Sequence, residues 1–491
     1  FADAMFKTAF RQEYNVSASG GNDRTDFYLS LGYLDNDSYI VGSSYDRFTM
    51  RSNVNSQLKP WLKLGTNIGF SRTKQEGVQE GSGLASNPFS TARSWAPIYP
   101  VHAYDANGNM LYDENGNAIY DAGTGQTEGT SERPTATNQN VICNLYEDIR
   151  ENEYTNITSR SYIEFKLPYN FKFTANYSYD FTNRAYTTFY TPTIGDGQSF
   201  GGRGYKGNYN YKTSNFNQIL AYENVFGKDH NFSAKLGHEY YQYTENYLEG
   251  QKTRFFDTKN PELLNGGQME SIESYKVTHN IEGYFAMADY DYAHKYYLSA
   301  AFRRDGTSRF KQRWGNFWSV GAGWRISSEK FMEGTKSWLN DLKLRASYGT
   351  QGNENILPGY MYGYTPYVDQ YTVTWDGSQL GYTTAFYGNP DLTWEKQKTL
   401  DVGIDFRLFD RVYGSFEYFT RRTDDMLFQR PLAASGGRPY NWENIGSMRN
   451  NGVELEVNVD IFNKPDFKWT VTLLGSHYSN KILTLPGENK E

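Results

Sequence analysis

The feature that most constrains this chain is a strict alternation of apolar and polar residues that recurs along its whole length. In residues 400–408, Leu400, Val402 and Ile404 share one face, whereas Asp401 and Asp405 share the other. A period of two is typical of a half-buried β-strand, whose successive side chains point to opposite faces. Roughly sixteen such segments follow one another, with no helical period between them. The pattern predicts an all-β chain arranged as an antiparallel meander.

The same alternation is compatible with a membrane barrel. The mean hydropathy is −0.75, and no apolar run is long enough for a transmembrane helix. Barrel strands average out as hydrophilic because their lumen side is polar. Aromatic residues make up 17% of the 491 residues and crowd the strand ends, as at Tyr290 and Tyr292. Such crowding is typical of a membrane interface. We therefore predict a transmembrane antiparallel β-barrel, with a soluble β-sandwich as the alternative.

The connections between the predicted strands differ greatly in length. Residues 58–61 and 409–412 reverse the chain at once, whereas residues 75–153 form a long region that we interpret as extracellular. Within it, Asp105-Ala-Asn-Gly-Asn109 is repeated as Asp113-Glu-Asn-Gly-Asn117. The Asn-Gly pairs predict type I′ turns. A calcium loop of the EF-hand type is disfavoured, because Gly stands fourth rather than sixth.

The sequence contains few motifs typical of catalysis or of metal, nucleotide or nucleic-acid binding. Lys and Arg number 49 against 56 Asp and Glu, a net charge of −7 that argues against a nucleic-acid partner. The single Cys143 cannot form an internal disulfide, and the six histidines show no zinc-site spacing. Gly202, Gly204 and Gly207 fit a dinucleotide fingerprint, but the tyrosines that follow favour a flexible aromatic loop. We predict no catalytic residue, no cofactor and no metal site, and hence no enzyme.

Aromatic side chains in the predicted loops are the best candidates for substrate binding. Flat rings stack on sugars or grip peptide side chains and lose little conformational entropy on binding. On this ground we select Trp95, Tyr99, Tyr360 and Trp375. The alternative is that these rings pack the loops against one another.

Residues 302–332, FRRDGTSRFKQRWGNFWSVGAGWRISSEKFM, resemble a hallmark of the SusC/RagA family of TonB-linked outer-membrane transporters. The stretches LKLRASYGTQGNENI, NPDLTWEKQKTLDVGIDF and ENIGSMRNNGVELEVNV follow in the family's order, and YNVSASGGNDRTDFYLSLGYLDND resembles an early barrel segment. Within the hallmark, Asp305 and Gly306 favour a charged turn. Trp318, Val320 and Trp324 then predict a lipid-facing stripe.

The resemblance implies a 22-stranded barrel with an N-terminal plug. It also implies import of oligosaccharides or peptides across the outer membrane of a Gram-negative, Bacteroidetes-type bacterium. A SusD-like surface lipoprotein would act as a lid, and TonB would supply energy. On this view residues 1–491 are a partial barrel domain, with the plug and the final strands outside the chain. A soluble or surface-attached glycan-binding protein and a β-rich glycoside hydrolase are the alternatives.

Overall fold

The computed structural model describes the following residues: 2–78, 87–96, 98–129, 132–134, 137–257, 259–355, 364–377 and 379–484. Its α-helices are short: α1 (Ala2–Met5), α2 (Pro88–Ser94) and α3 (Val141–Glu147). The strands are β1 (Arg11–Gly21), β2 (Thr25–Asp37), β3 (Ser44–Lys59), β4 (Leu62–Glu76), β5 (Ile149–Lys166), β6 (Phe171–Tyr190), β7 (Arg203–Phe226), β8 (His230–Phe255), β9 (Gly266–Tyr292), β10 (Tyr296–Thr307), β11 (Trp314–Arg325), β12 (Leu339–Asn353), β13 (Gln370–Asp376), β14 (Gln379–Phe386), β15 (Glu395–Leu408), β16 (Val412–Asp424), β17 (Leu427–Pro431), β18 (Tyr440–Asn444), β19 (Ser447–Lys464) and β20 (Phe467–Thr484).

Sixteen strands form one sheet in which neighbours in the chain are neighbours in space. The order runs from β1 to β12 and continues through β15, β16, β19 and β20. The pairs β13–β14 and β17–β18 are separate two-stranded hairpins. All the pairings are antiparallel, as at β1–β2, β8–β9 and β19–β20. The prediction of an all-β antiparallel meander is confirmed.

The connections lie at two ends of the sheet, because consecutive antiparallel strands turn alternately at one end and then at the other. At the short-turn end, β3 stops at Lys59 and β4 starts at Leu62. At the long-loop end, β4 stops at Glu76 and β5 starts at Ile149. The segment between β11 and β12 is the longest connection at the short-turn end, and it contains two short 3-10 helices. A strand order with this alternation is typical of outer-membrane barrels.

Type I′ turns do occur, but not where the sequence predicted them. Ala293 and His294 have φ of 53° and 55°, and the N–H of Lys295 donates to the Tyr292 carbonyl at 2.9 Å. Phe409 and Asp410 repeat this geometry between β15 and β16. These tight hairpins accept positive φ without glycine because the turn must match the twist of the strands.

The Asn-Gly repeats adopt a different turn, so the prediction of type I′ was wrong there. Only Gly108 and Gly116 have positive φ, both 80°. The Asp105 carboxylate accepts the backbone N–H groups of Asn107 and Asn109, at 2.9 and 2.7 Å. These bonds hold the pKa of Asp105 below its usual value. The side chain thus closes a longer turn in which a single left-handed glycine is enough.

One face of the sheet is apolar and exposed. Phe302 pairs with Trp318, and Val320 pairs with Tyr348 on the next strand. Their side chains remain between 38% and 49% exposed. Further along, Ile404, Phe416 and Leu455 form a similar cross-strand row. The residues predicted as a lipid-facing stripe therefore lie on an outward apolar face.

The charged turn predicted at Asp305 and Gly306 was wrong, because both residues lie inside β10. Asp305 pairs with Gly283 on β9 and with Gly315 on β11. The chain reverses later, in residues 308–313. Asp305 is held in the strand by the Arg303 side chain, whose Nε donates to its carboxylate at 2.7 Å. A side-chain ion pair thus overrides the turn preference of the Asp-Gly pair.

The buried clusters are in the loops and strand ends rather than between two sheets. The largest cluster gathers residues from the long-loop end: Phe310, Phe317, Phe386, Leu392, Trp394 and Trp442. A second joins α1 to α3 through Met5, Ile40, Val141, Ile142 and Leu145. A β-sandwich would bury its apolar stripes between its two sheets. The arrangement here disfavours the soluble alternative.

The glycine triplet at 202–207 lies at the start of β7. The prediction that it forms a flexible aromatic loop was therefore wrong. Gly202 has φ of 87° at the turn that enters β7. Gly204 and Gly207 lie within β7, under the rings of Phe255 and Tyr186 respectively. Neither position has room for a Cβ, which explains the glycines without a nucleotide.

Candidate functional site

The second face of the sheet is polar and carries ion pairs between strands. Arg303 on β10 reaches the Glu239 carboxylate on β8 at 2.8 Å. Arg345 on β12 contacts both Asp405 and Glu417, on β15 and β16. Because alternate residues share a face, these side chains lie opposite the apolar rows. The sheet therefore separates an apolar exterior from a charged interior.

The polar face is concave. A cavity of about 1200 Å³ is lined by residues of widely separated strands, from Lys172 on β6 through Asp291 on β9 to Asp401 on β15. Strands so far apart in the sheet order can line one cavity only if the sheet curves around it. The interior face is hereafter the inner wall.

A row of tyrosines crosses the inner wall near the long-loop end. Five residues stand directly opposite one another on β5 to β9: Tyr154, Arg184, Tyr209, Tyr247 and Tyr275. We call them the tyrosine row. Tyr247 and Glu239 are an even number of residues apart on β8, which places the row on the inner wall. The ring centroids of Tyr209 and Tyr247 are 4.4 Å apart, with planes 27° from parallel.

Two carboxylates border the tyrosine row. Glu245 accepts the hydroxyls of Tyr243 and Tyr275, at 2.8 and 2.7 Å. Glu249 accepts the hydroxyl of Tyr186. In the part of the chain that the structure describes, neither carboxylate is paired with a cation. They are therefore acceptors with lone pairs left over for a ligand.

The row was missed at the sequence level, although a signal was present. Tyr209 and Tyr211 are two residues apart, and so are Tyr241 and Tyr243. Such spacing places both members of a pair on one strand face. The register across five strands, which no local pattern specifies, is what assembles the site.

Trp95 and Tyr99, two of the predicted binding residues, converge on one arginine. The Arg133 guanidinium carbon lies 4.2 Å from the Trp95 ring centroid and 5.7 Å from that of Tyr99. Arg133 is 3% exposed and its Nη2 donates to the Gln139 carbonyl at 2.7 Å. These rings contact a buried cation of their own loop, which favours the packing alternative.

Trp375, the third of these residues, belongs to the β13–β14 hairpin and is 71% exposed. It shares one hairpin face with Tyr371, Val373, Leu380 and Tyr382, which are also exposed. Tyr360 lies outside the described residues. The structure thus brings Trp95 and Tyr99 together and places Trp375 in another loop.

Among the described residues, no His, Cys, Asp and Glu side chains form a group of three or more that could hold a metal ion. No helix among them combines the length and apolar character needed to cross a membrane. Cys143 is buried against Ala122 and Ile194.

Residues 100–489 match the family model described as TonB dependent receptor-like, beta-barrel. The chain belongs to this family. TonB-dependent receptor P3 of Formosa agariphila is 29% identical to this TonB-dependent receptor barrel over 496 residues, covering 99% of the chain and 47% of the relative. TonB-dependent receptor SusC of Bacteroides thetaiotaomicron is 27% identical over 503 residues, covering 99% and 48%. The family is one of receptors and transporters rather than enzymes.

Solved structures support the same fold. A structure of the RagAB peptide importer in a closed-closed state aligns with a TM-score of 0.82 at 23% identity, covering 99% of this barrel chain and 52% of the other. The ferric citrate transporter FecA aligns at a TM-score of 0.53 and 8% identity. The chain spans about half the length of the curated relatives that it matches. Because the chain covers only this part of its relatives, the total of 22 strands stays a prediction.

Proposed function

We propose that this chain is part of the barrel wall of an outer-membrane, TonB-dependent importer of oligosaccharides or peptides. The main support is the sheet of this chain, whose two faces differ, together with its membership of the family. An exposed apolar face suits contact with lipid, and a concave charged face suits the passage of polar cargo. The importer would bind no cofactor and make or break no bond. TonB would supply the energy for import.

A SusD-like surface lipoprotein is the proposed partner. The partner would cover the long-loop end, which carries the 75–153 region, the proposed extracellular loops, and the β13–β14 hairpin. Trp95, Tyr99, Tyr360 and Trp375 remain proposed contacts for cargo or for this lid. The exposed face of the hairpin supports Trp375 most directly, because an apolar patch rimmed by polar residues often marks an interaction site.

The test uses the full-length protein in its own bacterium. Deleting the gene should abolish growth on one class of oligosaccharide or peptide as sole carbon source, and the intact gene should restore it. The protein should fractionate with the outer membrane and change its gel mobility on heating, as a folded barrel does. Unimpaired growth on every such source would contradict import. A protein in the soluble fraction would favour the glycan-binding alternative, and release of reducing ends would favour a hydrolase.

A further inference from the structure

Two rings of the tyrosine row, those of Tyr209 and Tyr247, stand on edge on the inner wall. Tyr209 and Tyr247 are on adjacent strands, and their centroid separation of 4.4 Å is close to the spacing between strands. Two tyrosines that flank the row continue this arrangement: the plane of Tyr209 is 27° from that of Tyr186 and 4° from that of Tyr211. Rings that face one another along the sheet turn their edges and hydroxyls toward the interior.

The ring faces are thereby occupied by neighbouring rings and by one cation. The Arg184 guanidinium carbon lies 5.3 Å from the Tyr186 centroid and 5.7 Å from that of Tyr209. Arg184 also donates to the Asn152 side-chain oxygen from Nε and Nη2, at 3.0 and 2.8 Å. The faces of these rings are therefore not open as apolar contact surface for peptide side chains.

What faces the interior is a dense set of oxygen atoms. The phenol oxygens of Tyr186 and Tyr247 are 3.4 Å apart, and Glu249 accepts from the first of them. Glu245 is bound by two phenols at the other side of the row. Phenols that donate to a carboxylate keep lone pairs as acceptors. The surface is rich in acceptors and suits a ligand that carries many hydroxyl donors.

The charge of this surface is negative. Glu249 stands opposite Glu273 in the β8–β9 register. Arg184 is the one cation of the row, and its guanidinium carbon also lies 5.9 Å from the Tyr154 ring centroid. A polyanionic ligand would be repelled by these carboxylates, none of which forms an ion pair in the described part of the chain.

From these observations we propose that Glu245, Glu249 and the tyrosine row form a binding site for neutral, hydroxyl-rich oligosaccharides. This inference rests on the proposed import function and narrows its cargo. Hydrogen bonds from sugar hydroxyls to the two carboxylates supply the affinity, because bonds to charged acceptors are the stronger ones. The upright rings fix the carboxylates in place through their own hydroxyls.

The experiment measures binding to the purified full-length protein in detergent by isothermal titration. The probes are neutral α- and β-linked gluco- and manno-oligosaccharides, uronate- and sulfate-bearing oligosaccharides, and neutral peptides. A neutral oligosaccharide should bind, and the anionic ones and the peptides should not. The Glu245→Gln/Glu249→Gln double variant should bind it about tenfold or more weakly. Tyr247→Phe should weaken binding by a smaller factor.

The matched control is Tyr418→Phe, which removes a phenol hydroxyl from the apolar face. It should bind as the unmodified protein does, and unchanged heat-dependent gel mobility should show that every variant is folded. Equal affinity in the double variant would overturn the proposal, as would binding of peptides or anionic oligosaccharides alone. Growth of the deletion strain is measured in a separate experiment. A failure of the proposed binding site can therefore be distinguished from a failure of the proposed import function.

Discussion

The imidazole Nε2 of His279 lies 2.8 Å from a carboxylate oxygen of Glu354. The His279 side chain is 9% exposed and that of Glu354 is 14% exposed. His279 belongs to β9, whereas Glu354 directly follows β12. The contact therefore ties the start of the loop after β12 to a distant strand of the wall.

Removing the histidine should loosen this loop. His279→Ala leaves the mostly buried Glu354 carboxylate without this partner. Such a loss costs about 1–3 kcal/mol of stability. We expect faster proteolytic cleavage after β12 without loss of the folded barrel. Glu354→Gln, which keeps a hydrogen-bond acceptor, is the control and should be cut more slowly than His279→Ala. Identical cleavage of both variants and the unmodified protein would contradict this role.

The helix α3, which Asp148 follows directly, should become more stable on mild acidification. Burial raises the pKa of Asp148 from 3.8 to about 6. The folded chain therefore binds more protons than the unfolded one between these values, and the stability contributed by Asp148 falls as the pH rises through them. The protection factors of the α3 amides, which correct hydrogen exchange for its intrinsic pH dependence, should rise between pH 7 and pH 5. Asp148→Asn should remove that pH dependence, and a profile unchanged by this variant would exclude Asp148 as its source.

Adjacent residues on β16 test the two faces of the sheet. Phe416 pairs with Ile404 and Leu455, whereas Ser415 pairs with Asp405 and Glu456. An arginine on the lipid face of a barrel costs about 2–4 kcal/mol at the bilayer midplane. Phe416→Arg should sharply reduce the folded, heat-modifiable form in the outer membrane, and Ser415→Arg should not. Equal yields would argue against lipid contact at this face.

Gly207 should not tolerate a side chain. The ring of Tyr186 lies where its Cβ would be, and overpacking of this kind typically costs about 1–3 kcal/mol. Gly207→Ala should lower the temperature at which the purified protein unfolds in detergent. Gly475→Ala is the matched control, because Gly475 also lies in a strand and has nothing within 4 Å of a Cβ. The prediction fails if the two variants unfold at the same temperature.

Trp95 and Trp375 should respond differently to truncation. Trp95→Ala removes a ring from the Arg133 contact, a cation–π interaction worth about 0.5–2 kcal/mol, and should make residues 87–148 more sensitive to protease. Trp375→Ala should leave protease sensitivity unchanged and weaken the capture of cargo or lid, measured by uptake of the growth substrate. Unchanged uptake in both variants would assign both rings to packing.

The period-two pattern was sufficient to predict the strands, their antiparallel order and the outward apolar face. It failed where side chains override local preference. The ion pair to Arg303 keeps Asp305 in a strand, and the carboxylate of Asp105 replaces the expected I′ geometry. The tyrosine row could not be predicted because its five members come from five strands. Their meeting depends on a register that long-range pairing sets.

The separation of short turns from long loops has a consequence for adaptation. At the short-turn end a single added residue would shift the register between two strands and reverse the facing of their side chains. At the long-loop end whole segments, such as residues 77–148, sit between strands whose pairing does not depend on segment length. The long-loop end can thus change in length and sequence while the short-turn end keeps the strands in register.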